Sequence, residues 1–107
     1  MAQCKITVIE RMFNKELAEQ FLRPDRQEVL GPCELFQEGQ EFVTDVFKTM
    51  PQGFCPWAWN DIYKNLVVLG VGVGSELLYK EPNVVVACCS DGLRPVVFKL
   101  ERLAAED

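Results

Sequence analysis

Cys4, Ile6 and Val8 fall on one face of an alternating segment and Lys5, Thr7 and Ile9 on the other, so residues 4–11 predict a half-buried β-strand. The period then changes. Leu17, Ala18, Phe21 and Leu22 form an apolar stripe at helical spacing, which predicts a short helix over 15–22 with Asn14 as its N-cap and Pro24 as its stop. Charged and turn residues dominate 24–39 and predict an irregular loop, followed by a strand over 41–47 and a turn at 50–53. Pro56 suits a first helical turn, and Trp59, Ile62, Tyr63 and Leu66 recur at helical spacing, so the segment 54–74 predicts the main helix, entered at Cys55-Pro56 and thinned by Gly70, Gly72 and Gly74 to an end that frays or stops. After a linker at 76–82, two β-prone segments at 83–89 and 95–103 flank Ser90-Asp91-Gly92-Leu93-Arg94, which predicts a hairpin, and 104–107 reads as a frayed end.

The order is β-α-β-α-β-β. Strands joined by short links rather than regular βαβ units predict a small α+β domain, a mainly antiparallel sheet or partial barrel with two helices, occupying 1–107 as a single domain. A chain of 107 residues, 49% apolar and 25% charged, matches that size. It buries roughly two-thirds of its unfolded surface and needs no cross-links to hold a core.

Sixteen acidic against eleven basic residues give a net charge of −5, which disfavours attraction to polyphosphate and hence a nucleic-acid partner. Histidine is absent, so Ser-His and Cys-His nucleophile pairs and His-based metal sites cannot be assembled within one chain. The most apolar run, 66–73, is far shorter than the roughly twenty residues of a membrane span. The N-terminus has no signal-peptide pattern, and five cysteines are an odd number without a Cys-x-x-Cys pair; together these predict a cytoplasmic protein with reduced thiols.

Three motifs in order carry a resemblance: Gly31-Pro32-Cys33 with Gly39-Gln40-Glu41-Phe42, then 51–59 ending Cys55-Pro56-Trp57-Ala58-Trp59, then 88–98 containing Cys89-Ser90-Asp91 and Pro95-Val96-Val97-Phe98. In these the chain resembles a small prokaryotic family of about this length with no assigned function. The resemblance implies that Cys33, Cys55 and Cys89 occupy the family's cysteine positions, with Cys4 outside the pattern and Cys88 at a varying one. Some relatives carry histidine beside the first cysteine and within the following Gly-x-x-Phe segment, where this chain has Pro32 and Gln37.

Each constellation has a bland reading beside a functional one. Cys55 stands before a Pro-started helix, where unpaired N–H groups and the dipole favour an anion; equally, it packs beside Trp57 and Trp59 as an ordinary buried cysteine. Cys33, Cys55 and Cys89 make a three-thiolate cluster, with zinc or an iron–sulfur centre as the soft-ligand expectation, only if the loop folds over the helix start and the hairpin. Cys88 and Cys89, as strand neighbours, point to opposite faces. The 70–74 glycine run follows a helix instead of preceding one, against a nucleotide loop. Phe54, Trp57, Trp59 and Tyr63 line either a pocket or the core. Asp61 suits the helix dipole and Asp91 an Asp-Gly turn, while Arg94 and Lys64 are anion-binding candidates or solvated surface.

The leading expectation is a small non-enzymatic domain that binds a protein or small-molecule partner at a site of Cys33, Cys55, Trp57, Trp59, Cys89 and Asp91. The rivals are a thiol-based redox or enzyme component using Cys55, and a protein with metal ligated by Cys33, Cys55 and Cys89. Strands rich in Val84, Val85, Val86, Val96, Val97 and Phe98 are apolar on both faces, which predicts a homo-oligomer.

Overall fold

The computed structural model describes residues 3–26, 31–45, 49–72 and 78–103. Its elements are β1 (Gln3–Arg11), α1 (Lys15–Phe21), β2 (Glu41–Asp45), α2 (Pro56–Gly70), β3 (Val84–Cys88) and β4 (Val96–Arg102). The four strands form one antiparallel sheet in the order β2-β1-β4-β3. The fold is therefore α+β, and of the two architectures the sequence allows it takes the open sheet. Small barrels close with about five to eight strands, and here β2 and β3 are left as the two edges.

Register explains which residues face inward. Ile6 lies opposite Leu100 and Val8 opposite Phe98, and all four are buried, so the even-numbered positions of β1 as far as Val8 and those of β4 share the covered face. On β3 the odd positions are the inward ones: Val85 pairs Leu100 and Ala87 pairs Phe98. The opposite face bears Lys5, ion-paired to Glu41 and Glu101, and Lys99, paired to Glu101. Cys88 is exposed whereas Cys89 packs against the core, as strand alternation requires.

α2 lies across β1, β4 and β3 and buries Ala58, Ile62, Leu66 and Leu69, a 3.6-period stripe. Its far end stops where Gly72 takes φ +86, and Arg102 donates from Nε to the Gly70 carbonyl at 3.4 Å. Under β2 the covering is aromatic instead: Phe36 and Phe54 are buried and meet Phe42 and Phe98 mostly edge-on, with centroids 4.9–6.1 Å apart. Phe36 comes from the segment read as an irregular loop, so that segment contributes to the core.

Two other expectations change. The helix over 15–22 forms, but its stripe does not pack: Ala18 is buried while Leu17 and Phe21 are exposed, Phe21 at 71%. Asn14 makes no side-chain cap; its amide Nδ2 donates to the Gly92 carbonyl at 2.6 Å, and the hairpin turn outbids the helix for it. The main helix starts at Pro56, with Cys55 at its N-cap position, and stops at Gly70, as its Pro entry and glycine-thinned end predict; before it Pro51-Gln52-Gly53 turns the chain (Gly53 φ +83) and Phe54 is buried in the core. Of the strand expected over 41–47, β2 covers Glu41–Asp45 and the rest lies outside the described residues, as do parts of the 24–39 loop, the glycine run and the 76–82 linker, and all of 104–107.

Candidate functional site: a cleft between the loop, the helix start and the hairpin

A bulge in β1 begins the site. Val8 pairs Phe98 but Glu10 pairs Val97, so Ile9 is an extra residue and the alternation flips. Arg11 consequently faces the same side as buried Val96, its partner. There it donates from Nη1 to the Cys33 carbonyl at 2.9 Å and from Nε to Glu38 Oε1 at 2.9 Å, while its backbone N–H reaches Glu38 Oε2 at 3.3 Å. This hydrogen bonding holds the Glu38 carboxyl below the usual carboxylate range. One arginine thus fixes the loop that carries Cys33, Leu35 and Phe36.

The hairpin is fixed from two sides. On one, Ser90 donates its backbone N–H to Asp61 Oδ2 at 2.7 Å and its hydroxyl accepts from the Trp57 indole N–H at 2.8 Å, tying the turn to the first turns of α2. On the other, Asn14 donates to the Gly92 and Leu93 carbonyls. Asp91 closes the turn internally, with Oδ1 accepting from the N–H groups of Leu93 and Arg94 at 3.0 and 3.1 Å and Oδ2 from Arg94 Nε at 3.3 Å. The Asp-Gly turn reading of Asp91 is the observed one, and Asp61 acts as a strut for Ser90.

Between these three supports lies a cleft of about 530 Å³, with Cys33, Leu35 and Phe36 on the loop side, Cys55, Trp57 and Ala58 on the helix side, and Cys89, Ser90, Asp91, Gly92, Arg94 and Val96 on the hairpin side. Five of the six expected site residues line it: Cys33, Cys55, Trp57, Cys89 and Asp91. Trp59 does not. Side chains two positions apart on a helix diverge by about 200°, and Trp59 turns to Phe54 and Tyr63, beside a separate groove with Asn60 and Lys64. Leu35, Phe36, Ala58, Ser90 and Val96 are lining residues that the sequence reading did not select; an apolar pair isolated within the polar 33–41 stretch was the available signal for the first two.

The three cleft thiols are each partly exposed. Cys89 Sγ accepts the Val96 backbone N–H at 3.3 Å, and Cys55 makes no side-chain cap bond despite its N-cap position. Among the described residues no group of three or more Cys, Asp or Glu side chains has an arrangement fit to hold a metal ion, so the three-cysteine ligand set receives no geometric support. Cys4 is fully buried under the sheet, where desolvation pushes its thiol up, against a lowering influence of Arg102.

Beside the cleft and sharing Asp91 and Arg94 with it runs a shallower groove of about 320 Å³ lined also by Phe21, Leu22, Arg23, Arg26 and Leu93. No described helix is long and apolar enough to cross a membrane. The chain has no significant match among protein-family models, curated proteins or solved structures.

Proposed function

We infer that this domain binds a small molecule with a flat apolar body in the cleft between Cys33, Cys55 and Cys89. The observation that carries the reading is the state of Trp57: it is 67% exposed, yet its only polar group is already engaged by Ser90. What the indole offers the cleft is therefore its apolar surface, held in a fixed orientation, and an exposed, oriented tryptophan is a favourable stacking wall. Leu35, Phe36, Ala58 and Val96 supply the rest of an apolar lining, and the volume falls within the roughly 300–1,000 Å³ of small-molecule sites.

Titration with N-phenyl-1-naphthylamine, an uncharged dye that brightens in apolar surroundings, tests this. Saturable one-to-one binding is expected, weakened about tenfold in Trp57→Ala by the loss of stacking and apolar contact. Absence of saturable binding, or binding indifferent to Trp57→Ala, overturns the reading.

A second reading, thiol chemistry at Cys55, draws support from the partial exposure of all three cleft cysteines and the lack of a capping bond at Cys55. Iodoacetamide labelling faster at Cys55 than at Cys33 and Cys89, with the fast phase lost in Cys55→Ser, supports it; equal, slow labelling at all three removes it.

A further inference from the structure

The cysteines are distributed unevenly over the molecule. Cys4 is fully buried and Cys88 stands exposed on the opposite face of the sheet, whereas Cys33, Cys55 and Cys89, each partly exposed, line one cleft from three separate elements. Cysteine is ordinarily among the most buried residue types, so three partly exposed thiols around one cavity are unusual. The other groups of the lining that could act as nucleophile or base are engaged. The Ser90 hydroxyl oxygen accepts from the Trp57 indole, both Asp91 oxygens accept within the turn and from Arg94, and among the described residues no lysine lines the cleft. Histidine is absent from the chain, so the cleft offers soft sulfur nucleophiles without a base beside them.

Such a lining disfavours reactions that need a general base to activate an oxygen, and it suits addition of sulfur to a soft, conjugated carbon. The three thiols are not equivalent. Cys89 Sγ already accepts the Val96 N–H at 3.3 Å, and Cys33 sits on a loop. Cys55 makes no side-chain cap bond and leads into the helical turn that carries Trp57, so nucleophile and stacking wall stand on one rigid element. We propose that the flat apolar ligand of the cleft is an aryl-conjugated enone or enal, and that Cys55 captures it by conjugate addition. The thiolate lone pair forms a C–S bond to the β-carbon, the C=C π pair moves through the carbonyl to the α-carbon, and the α-carbon takes from water a proton equal to the one the thiol released. Nothing is oxidised or reduced and no group leaves. Apolar binding beside the sulfur makes the addition effectively unimolecular, which is the source of its rate advantage over a free thiol.

The inference rests on the cleft reading, and one pair of probes separates them. Chalcone is a flat neutral aryl enone; dihydrochalcone has the same skeleton without the reactive double bond and reports binding alone. Loss of chalcone's conjugated absorbance and peptide mass spectrometry are expected to show one fast adduct per chain, at Cys55. Its rate should saturate as chalcone is raised, and at low concentration exceed that of N-acetylcysteine at the same pH by about tenfold or more. Cys88, exposed on the opposite face, is the internal control and should react no faster than N-acetylcysteine. In the wild-type protein, dihydrochalcone and N-phenyl-1-naphthylamine should each slow the Cys55 reaction competitively, a readout independent of whether any variant folds. Trp57→Ala should lower the low-concentration rate about tenfold, and Cys55→Ser should remove the adduct. Saturable dye binding with labelling at Cys55 that never saturates, or is no faster than at Cys88, overturns the capture and keeps the cleft. An adduct formed first at Cys33 or Cys89 overturns the assignment to Cys55. Failure of the dye to bind, with no protection of Cys55 by either compound, overturns the cleft reading itself.

Discussion

Replacing Phe36 with alanine tests whether the 31–40 loop is part of the core or merely lies over it. The ring is 2% exposed and meets Phe54, Phe98 and Phe42 with centroids at 5.0, 5.2 and 6.1 Å. Core Phe→Ala substitutions cost about 3–5 kcal/mol, and a loop site can collapse partly into the void, so the lower end, about 3 kcal/mol, is expected. Against a total of about 5–15 kcal/mol the variant stays folded but melts at least about 12 °C lower, taking about 4 °C per kcal/mol. Leu35→Ala is the internal control. Leu35 is 66% exposed, so its truncation should change stability by no more than about 0.5 kcal/mol while weakening neutral-dye binding, because it lines the cleft. Urea unfolding followed by tryptophan fluorescence measures both. A cost below about 1 kcal/mol for Phe36→Ala, or equal costs at the two positions, would show that the loop is not anchored as described.

Other expectations follow from the same contacts. All five thiols are unpaired, so the melting temperature should be the same with and without strong reductant; a drop in reductant would reveal a stabilising disulfide. Mass spectrometry after brief alkylation should find Cys4 unmodified in the native protein, being fully buried with its thiol pushed up, and modified once urea is added; native labelling of Cys4 would contradict the sheet packing. Arg11 lowers the folded-state pKa of Glu38, so the stabilisation it gives is present above the ordinary glutamate range and is lost as pH falls through the folded value. Glu38→Gln should therefore be less stable than wild type at neutral pH and indistinguishable from it at strongly acidic pH, by parallel thermal melts. A difference that persists in acid would mean the carboxylate charge is not the cause. Arg102→Ala should fray the end of α2, seen as faster amide exchange near Gly70, by removing the donor to its carbonyl.

What the sequence made legible was whatever depends on local periodicity. The alternation of Cys4, Ile6 and Val8, the Pro56 helix start and the Asp91-Gly92 turn each act over a few residues, and each appears at the expected place. The cleft was partly legible for the same reason: Cys55 and Cys89 stand at the ends of elements that such signals delimit. The rest depends on partners far along the chain. The bulge at Ile9 redirects Arg11 toward a loop 22 residues away, and nothing in the local alternation announces it. Asn14 had the right chemistry for a cap but its amide is used 78 residues away, at Gly92. Trp59 was separable from Trp57 by helical angle alone; grouping them by composition instead of by face misplaced it. The arginine groove escaped because Arg23 and Arg26 meet Arg94 only when α1 docks beside the hairpin.

A ligand is proposed to enter the cleft framed by Cys33, Trp57 and Cys89. The most direct measurement is a two-dimensional amide and indole NMR titration of the intact protein with N-phenyl-1-naphthylamine. Saturable shifts are expected for the Trp57 indole N–H and the amides of Ala58, Cys89, Ser90 and Gly92, with the Val43 and Val86 amides of the opposite sheet face unmoved. Shifts concentrated on that opposite face, or around Trp59 and Tyr63, would contradict it.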